Sequence, residues 1–152
     1  MTEALSAADR DRLRAARTAT LATIRPDGRP RLVPICFVLQ GETLWTPLDD
    51  KPKAVPHPRD LARVRDIERD PRVELLVHTW SEDWSELAWL RIDGRAALTE
   101  PDPGAVHALR SKYPQYGGHD LEHRPMLTIA IDDVTSWVAS STDADAPRRP
   151  IE

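Results

Sequence analysis

Cysteine occurs once in these 152 residues, at Cys36. A single thiol forms no internal disulfide, and no Cys/His spacing of a structural zinc site accompanies it, so the expected compartment is a reducing cytoplasm. No apolar run approaches the ~20 residues needed to cross a bilayer as a helix, and Met1–Arg10 lacks the apolar middle of a signal peptide. Glycine numbers only six, and none builds a phosphate-cradling loop. His-Glu-x-x-His and Gly-x-Ser-x-Gly are also missing, which removes the commonest metalloprotease and serine-hydrolase layouts. Excess positive charge is absent too: the formal net charge is -4, which argues against nucleic-acid binding by bulk electrostatics. Lysine is the scarcest charged residue, with Lys51, Lys53 and Lys112 set against 18 arginines. The arginine bias reflects genome composition, but two of the three lysines stand two positions apart.

What is present reads as a β-rich chain with short helices. Hydrophobic residues make up 40%, slightly under the usual ~45–50%, which is polar for a self-sufficient monomer. Residues 6–17 read as a helix, with Ser6 as N-cap and Asp9 three residues on. Residues 18–24 alternate with period two, residues 25–30 form a Pro-Asp-Gly turn, and 31–39 is a strand apolar enough to be buried on both faces. A tight turn at Gly41 leads to a third strand at 44–48. The charged, proline-rich stretch 49–58 is a loop, and residues 59–69 a helix with Leu61, Val64 and Ile67 on one face. Strands follow at 73–80, 87–92, 93–99, 126–131 and 135–139, with a bulge or turn at Gly94 and a helix over 103–113. Residues 1–140 make one domain, and 141–152 are expected to be a disordered tail. The architecture implied is a small β-barrel of six or seven antiparallel strands with helical covers.

Three groups of residues are candidates for chemistry. The loop Leu48-Asp-Asp-Lys-Pro-Lys53 follows a strand carrying Trp45 and Thr46. Two ammonium groups with a hydroxyl and nearby arginines suit a phosphate or carboxylate, while Asp49 and Asp50 allow a plain solvated loop. Trp84, in the acidic loop 81–86, is a large aromatic where none is needed for packing, and fits a ligand contact or a subunit interface. Trp89 and Trp137 read as core residues, and Cys36 as a buried, inert thiol. His119 and His123 are four apart, but Gly117-Gly118 before them weakens a helical metal pair.

The order of these segments resembles the flavin/deazaflavin-dependent split β-barrel superfamily, which includes the pyridoxamine 5′-phosphate oxidases. The resembling run is strand, Asp-Gly turn, apolar strand, Trp-Thr-Pro, Lys-x-Lys loop, Arg-Asp-Pro-Arg72, Val-Glu-Leu-Leu-Val-His-Thr-Trp and Leu-Arg-Ile-Asp-Gly-Arg-Ala. The nearest likeness is to its actinobacterial branch of deazaflavin (coenzyme F420)-dependent oxidoreductases, carried by Asp50-Lys-Pro-Lys53, Asp83-Trp84 and Trp89-Leu-Arg-Ile-Asp-Gly94. It extends over residues 5–140. The resemblance implies a split-barrel homodimer with two cofactor sites between subunits, no nucleic-acid or membrane partner, and a small-molecule substrate. It implies that F420, or alternatively FMN, is held by Val33, Pro34 and Ile35 along the ring, by Trp45, Thr46, Asp50, Lys51 and Lys53 at the phosphate, and by Arg59 and Trp84. Arg59, Arg63 and Arg65 would line a path for an oligoglutamate tail. The implied reaction is hydride transfer to a small organic acceptor, with no catalytic side chain assigned. His78 is the one candidate proton donor, with strand-end packing as its other reading. Asp50-Lys51 departs from the Ser-Arg/Lys-Lys cluster of FMN-binding members, and Val55–Pro58 resembles an insertion. A non-catalytic protein binding haem or another planar ligand is the alternative from a different class.

Overall fold

The computed structural model describes residues 5–48 and 57–140; the phosphate-loop candidates Asp50, Lys51 and Lys53 and the tail 141–152 lie outside them. Helix α1 (Ala7–Ala15) starts where Ser6 and Asp9 close a reciprocal capping box, and it buries Leu13. Strands β1 (Ala19–Ile24) and β2 (Pro30–Ile35) pair antiparallel across the Pro-Asp-Gly turn, where Gly28 supplies a φ of 85°. Strands β3 (Val38–Gln40) and β4 (Thr43–Pro47) form a second hairpin, tethered to α1 by Arg10 donating to the Gly41 carbonyl at 2.9 Å.

Helix α2 (Ala62–Arg69) follows a 3-10 turn at Pro58–Asp60. Then come β5 (Arg72–Thr79), a 3-10 turn at Trp84–Glu86, β6 (Ala88–Thr99), α3 (Pro103–Lys112), a 3-10 segment at Pro114–Gly118 and β7 (Met126–Val138). No helix among the described residues is long and apolar enough to cross a membrane.

The seven strands form one antiparallel sheet in the order β2-β1-β5-β6-β7-β4-β3. One core cluster joins Ile35 of β2 at one edge to Leu44 of β4 near the other, together with Leu21, Leu75, Leu90, Ile92 and Ile129 between them. Residues from both margins share one interior because the sheet curls around it, as a split barrel requires. Leu13 of α1 and Val64 and Ile67 of α2 close that interior. On the opposite side, α3 covers only the β3–β4–β7 end, where Val106, Leu109 and Tyr113 pack on Val38, Met126 and Trp45.

Three expectations change. The apolar run 31–39 is two strands broken at Cys36-Phe37, and its first half is open on one face: Leu32 is 67% exposed. Residues 126–138 form one strand rather than two, and so do residues 88–99. The bulge expected near Gly94 lies on the partner strand, since Asp93 pairs with Asp133 and Gly94 with Ile131, leaving Asp132 without a rung. A β-carbon at Gly94 would lie 2.6 Å from the Ala130 carbonyl oxygen, so this rung admits no side chain.

Candidate functional site

Among the described residues strand β2 is a sheet edge, bonded on one side only, to β1. Backbone groups of an antiparallel strand point alternately to its two sides, and proline is accommodated where its missing N–H faces outward. Pro30 and Pro34 therefore put the even-numbered residues on the open side. Arg31, Val33 and Ile35 bond β1, and the free edge carries carbonyls with the single N–H of Leu32. The side chains divide accordingly. Ile35 is buried, Val33 packs on the core, and Pro34 and Leu32 stand exposed on the outer face. The free edge is therefore a strip of backbone from Pro30, Leu32 and Pro34; of the three residues expected along a ring, only Pro34 turns a backbone group outward, its carbonyl, while Val33 and Ile35 spend theirs on β1.

Arg31 was not among the residues singled out from sequence, yet it is the best-placed cation on this strand. Its Nε donates at 2.7 Å to Oδ2 of Asp66 on α2. Thr23, the residue directly opposite Arg31 on β1, donates its hydroxyl to the same oxygen at 2.7 Å. Arg69 approaches Oδ1 at 3.4 Å and donates to the Ile24 carbonyl. Asp66 is 1% exposed. Burial alone pushes its carboxyl up, but the Arg31 and Thr23 hydrogen bonds and the Arg31 charge outweigh that and hold it below the ordinary value. Arg31 itself keeps 35% of its side chain exposed, and its Nη groups make no hydrogen bond among the described residues. Apolar periodicity hid this arrangement, because Asp66 falls on the buried face of α2 beside Val64 and Ile67.

The other predicted residues scatter. Trp45 is half-buried against the α3 cluster, on the far side of the sheet from the main core. Thr46 is 2% exposed and donates its hydroxyl to the Cys36 carbonyl at 2.7 Å. Arg59 is exposed, 3.6 Å from Glu68. Trp84 is half-buried in a 3-10 turn capped by Asp83, whose carboxylate accepts from Ser85. Cys36 is half-buried between strands rather than within one; Lys112 beside it donates to the Leu13 and Phe37 carbonyls at 3.1 and 3.0 Å. His119 packs edge-on against Tyr116, and His123 sits 2.9 Å from Asp120.

Where α3 does not reach, no described element covers the outer face across β2, β1, β5 and β6. One row of residues is Leu32, Ala22, Glu74, Asp93 and Asp133; the next is Pro34, Thr20, Leu76, Arg91 and Thr135. A third aligns His78, Trp89 and Trp137, which places both tryptophans on this half-exposed face and not in the core. Leu76 is 38% exposed, and Trp80 just beyond β5 is 59% exposed. Crowding at the face and the facing Asp93 push the Glu74 carboxyl up to about 7, with Arg91 acting the other way. A separate cavity of about 300 Å³ is lined by Pro101, Pro103, Val106, His107, Arg110 and Glu122. None of the predicted residues lines it, and Arg110 is engaged by Glu122 and by the Tyr116 and His119 carbonyls.

The family model of pyridoxamine 5′-phosphate oxidase matches residues 5–138. The chain belongs to this family. No curated protein matches it. Several solved structures share the family fold. The conserved hypothetical protein Rv2991 of Mycobacterium tuberculosis is 22% identical with a TM-score of 0.70, covering 97% of this chain and 92% of its own. A protein titled F420 reductase is 21% identical with a TM-score of 0.61, covering 82% and 94%. HutZ of Vibrio cholerae, described as a haem storage protein, is 16% identical with a TM-score of 0.62, covering 90% and 95%. At these identities the likeness carries the fold.

Proposed function

We propose that this family member is an F420-dependent oxidoreductase of the actinobacterial kind, working in the cytoplasm on a small organic acceptor. The observation that carries the reading is the open edge of β2 beside the half-exposed head of Arg31. A strip of backbone acceptors around one N–H suits the amide-bearing rim of a flavin-type ring, and the guanidinium suits the phosphate of its tail. Two features favour the deazaflavin over FMN. A structure titled F420 reductase shares the fold, and Arg59 and Arg65 stand exposed near or on α2, where they suit the carboxylates of an oligoglutamate tail. When bound, the deazaflavin supplies the hydride. The chain's own residues bind and orient it and exclude water, so no dedicated acid–base pair is required.

The open outer face makes a second copy of the chain the natural partner in this reading. It exposes Leu32 and Leu76, and it carries Arg91 in the row beside Glu74 and Asp93. A two-fold axis between those rows sets Arg91 of each copy against the acidic row of the other, a self-complementary arrangement.

Fluorescence titration of the apo protein with F420 and with FMN, side by side, tests the cofactor assignment. Tighter binding of F420 supports it; yellow protein on isolation with FMN bound, and no F420 affinity, overturns it in favour of an FMN enzyme. A haem complex with no reoxidation of reduced F420 by any acceptor overturns the enzyme reading altogether. Replacing Lys51 and Lys53 together by alanine is expected to weaken cofactor binding at least tenfold in the same titration without unfolding the protein. Unchanged affinity would remove those lysines from the phosphate site.

A further inference from the structure

We propose that Asp66, together with Thr23, is a positioning residue that aims Arg31 at the phosphate of the bound cofactor. The inference rests on the cofactor reading above and extends it to a residue that touches no ligand. Three elements meet at one carboxylate oxygen: Thr23 from β1, Arg31 from β2 and Asp66 from α2. Thr23 and Arg31 are directly opposed on adjacent strands, so both bonds to Oδ2 form only when α2 stands at one height above the strand pair. Arg69, the other charged partner of Asp66 among the described residues, takes the other oxygen and locks α2 to the end of β1 through the Ile24 carbonyl.

The consequence falls on the guanidinium. An arginine side chain at an exposed sheet edge samples many rotamers, and each must be given up when it binds. Here Nε is already engaged by Asp66, and the Nη groups, which bond nothing among the described residues, are left as the fork that pairs with two phosphate oxygens. The carboxylate costs binding in one respect, because a negative charge beside Arg31 lowers the positive field that a phosphate feels. Charge and orientation therefore oppose each other, and this opposition separates a positioning role from any other.

The test compares phosphate-bearing and phosphate-free ligands: F420 against its phosphate-free deazaflavin alcohol, and FMN against riboflavin. The wild-type chain is expected to prefer the phosphate-bearing member of the matching pair at least tenfold, and Arg31→Ala to remove most of that preference. Asp66→Asn keeps the shape and removes the opposing charge, so field alone predicts a higher preference. Positioning predicts a preference lowered fivefold or more, with affinity for the phosphate-free ligand unchanged. Adding Asp66→Asn to Arg31→Ala should then change nothing further, since both act through one group.

Thr23→Val, which leaves all charges in place, carries the test if Asp66→Asn fails to fold. It should lower the preference, and Thr23→Ser should restore it. A folded Asp66→Asn or Thr23→Val protein with wild-type or greater preference overturns the inference while leaving the cofactor reading intact. A wild-type chain with no preference for phosphate overturns both.

Discussion

Glu74→Gln is the substitution whose effect can be worked out furthest. In the folded chain the Glu74 carboxyl lies opposite Asp93 on the outer face and titrates at about 7, well above the ordinary 4.5. Between those two values the folded state holds a proton that the unfolded state has released. Stability is therefore greatest at and below pH 4.5 with respect to this group, and falls as pH rises through 7. A fully sealed carboxyl would lose about 3.4 kcal/mol across that window, from 1.36 kcal/mol for each pH unit. Glu74 is exposed as a residue, and screening by solvent brings the expected loss to about 1 kcal/mol. Glutamine keeps a donor to Asp93 and carries no charge at any pH.

The variant should match the wild type at pH 4.5 and exceed it by about 1 kcal/mol at pH 8, which corresponds to a midpoint higher by about 2–4 °C. Thermal unfolding at a series of pH values, with protein concentration held fixed because association also shifts the midpoint, measures this. Parallel curves for the two proteins from pH 4.5 to 8 would refute the reasoning, since Glu74 would then titrate alike folded and unfolded.

Gly94→Ala is expected to cost about 1–3 kcal/mol, because the new methyl group meets the Ala130 carbonyl at 2.6 Å and the Ile129 side chain at 2.8 Å. Urea unfolding checks it, and a change under 0.5 kcal/mol would mean the rung relaxes freely. Leu76→Arg places a charge at the middle of the open face. If two copies meet there, light scattering should show at least tenfold weaker self-association, and an unchanged dimer would move the interface elsewhere.

The sequence was informative wherever a local rule had one solution. Ser6 and Asp9 named their own capping box, Asp27-Gly28 named the hairpin, and period-two alternation located β1. It misled where a residue's side depends on register. Trp89 and Trp137 look like core tryptophans by composition, but the pairing of Trp89 with His78 on one side and with Trp137 on the other sets both on the open face. Apolar density in residues 31–39 suggested burial on both sides, whereas β2 lies at an edge and exposes Leu32. The site was least legible of all. Arg31 is one of 18 arginines, and nothing in its neighbours marks it. Its partner Asp66 lies 35 residues away on a helix, and only the folded chain brings them together.

The prolines of β2 have a consequence beyond ligand binding. Sheets commonly grow from one molecule to the next when an edge strand offers its unpaired amides to a strand outside. Pro30 and Pro34 leave this edge with one amide in three of its outward positions, too few to template a continuous ladder. Two copies of the chain are thereby kept from joining through their β2 edges into a growing sheet. A flat ring needs only one such amide, so the same edge that refuses a strand can still admit a small molecule.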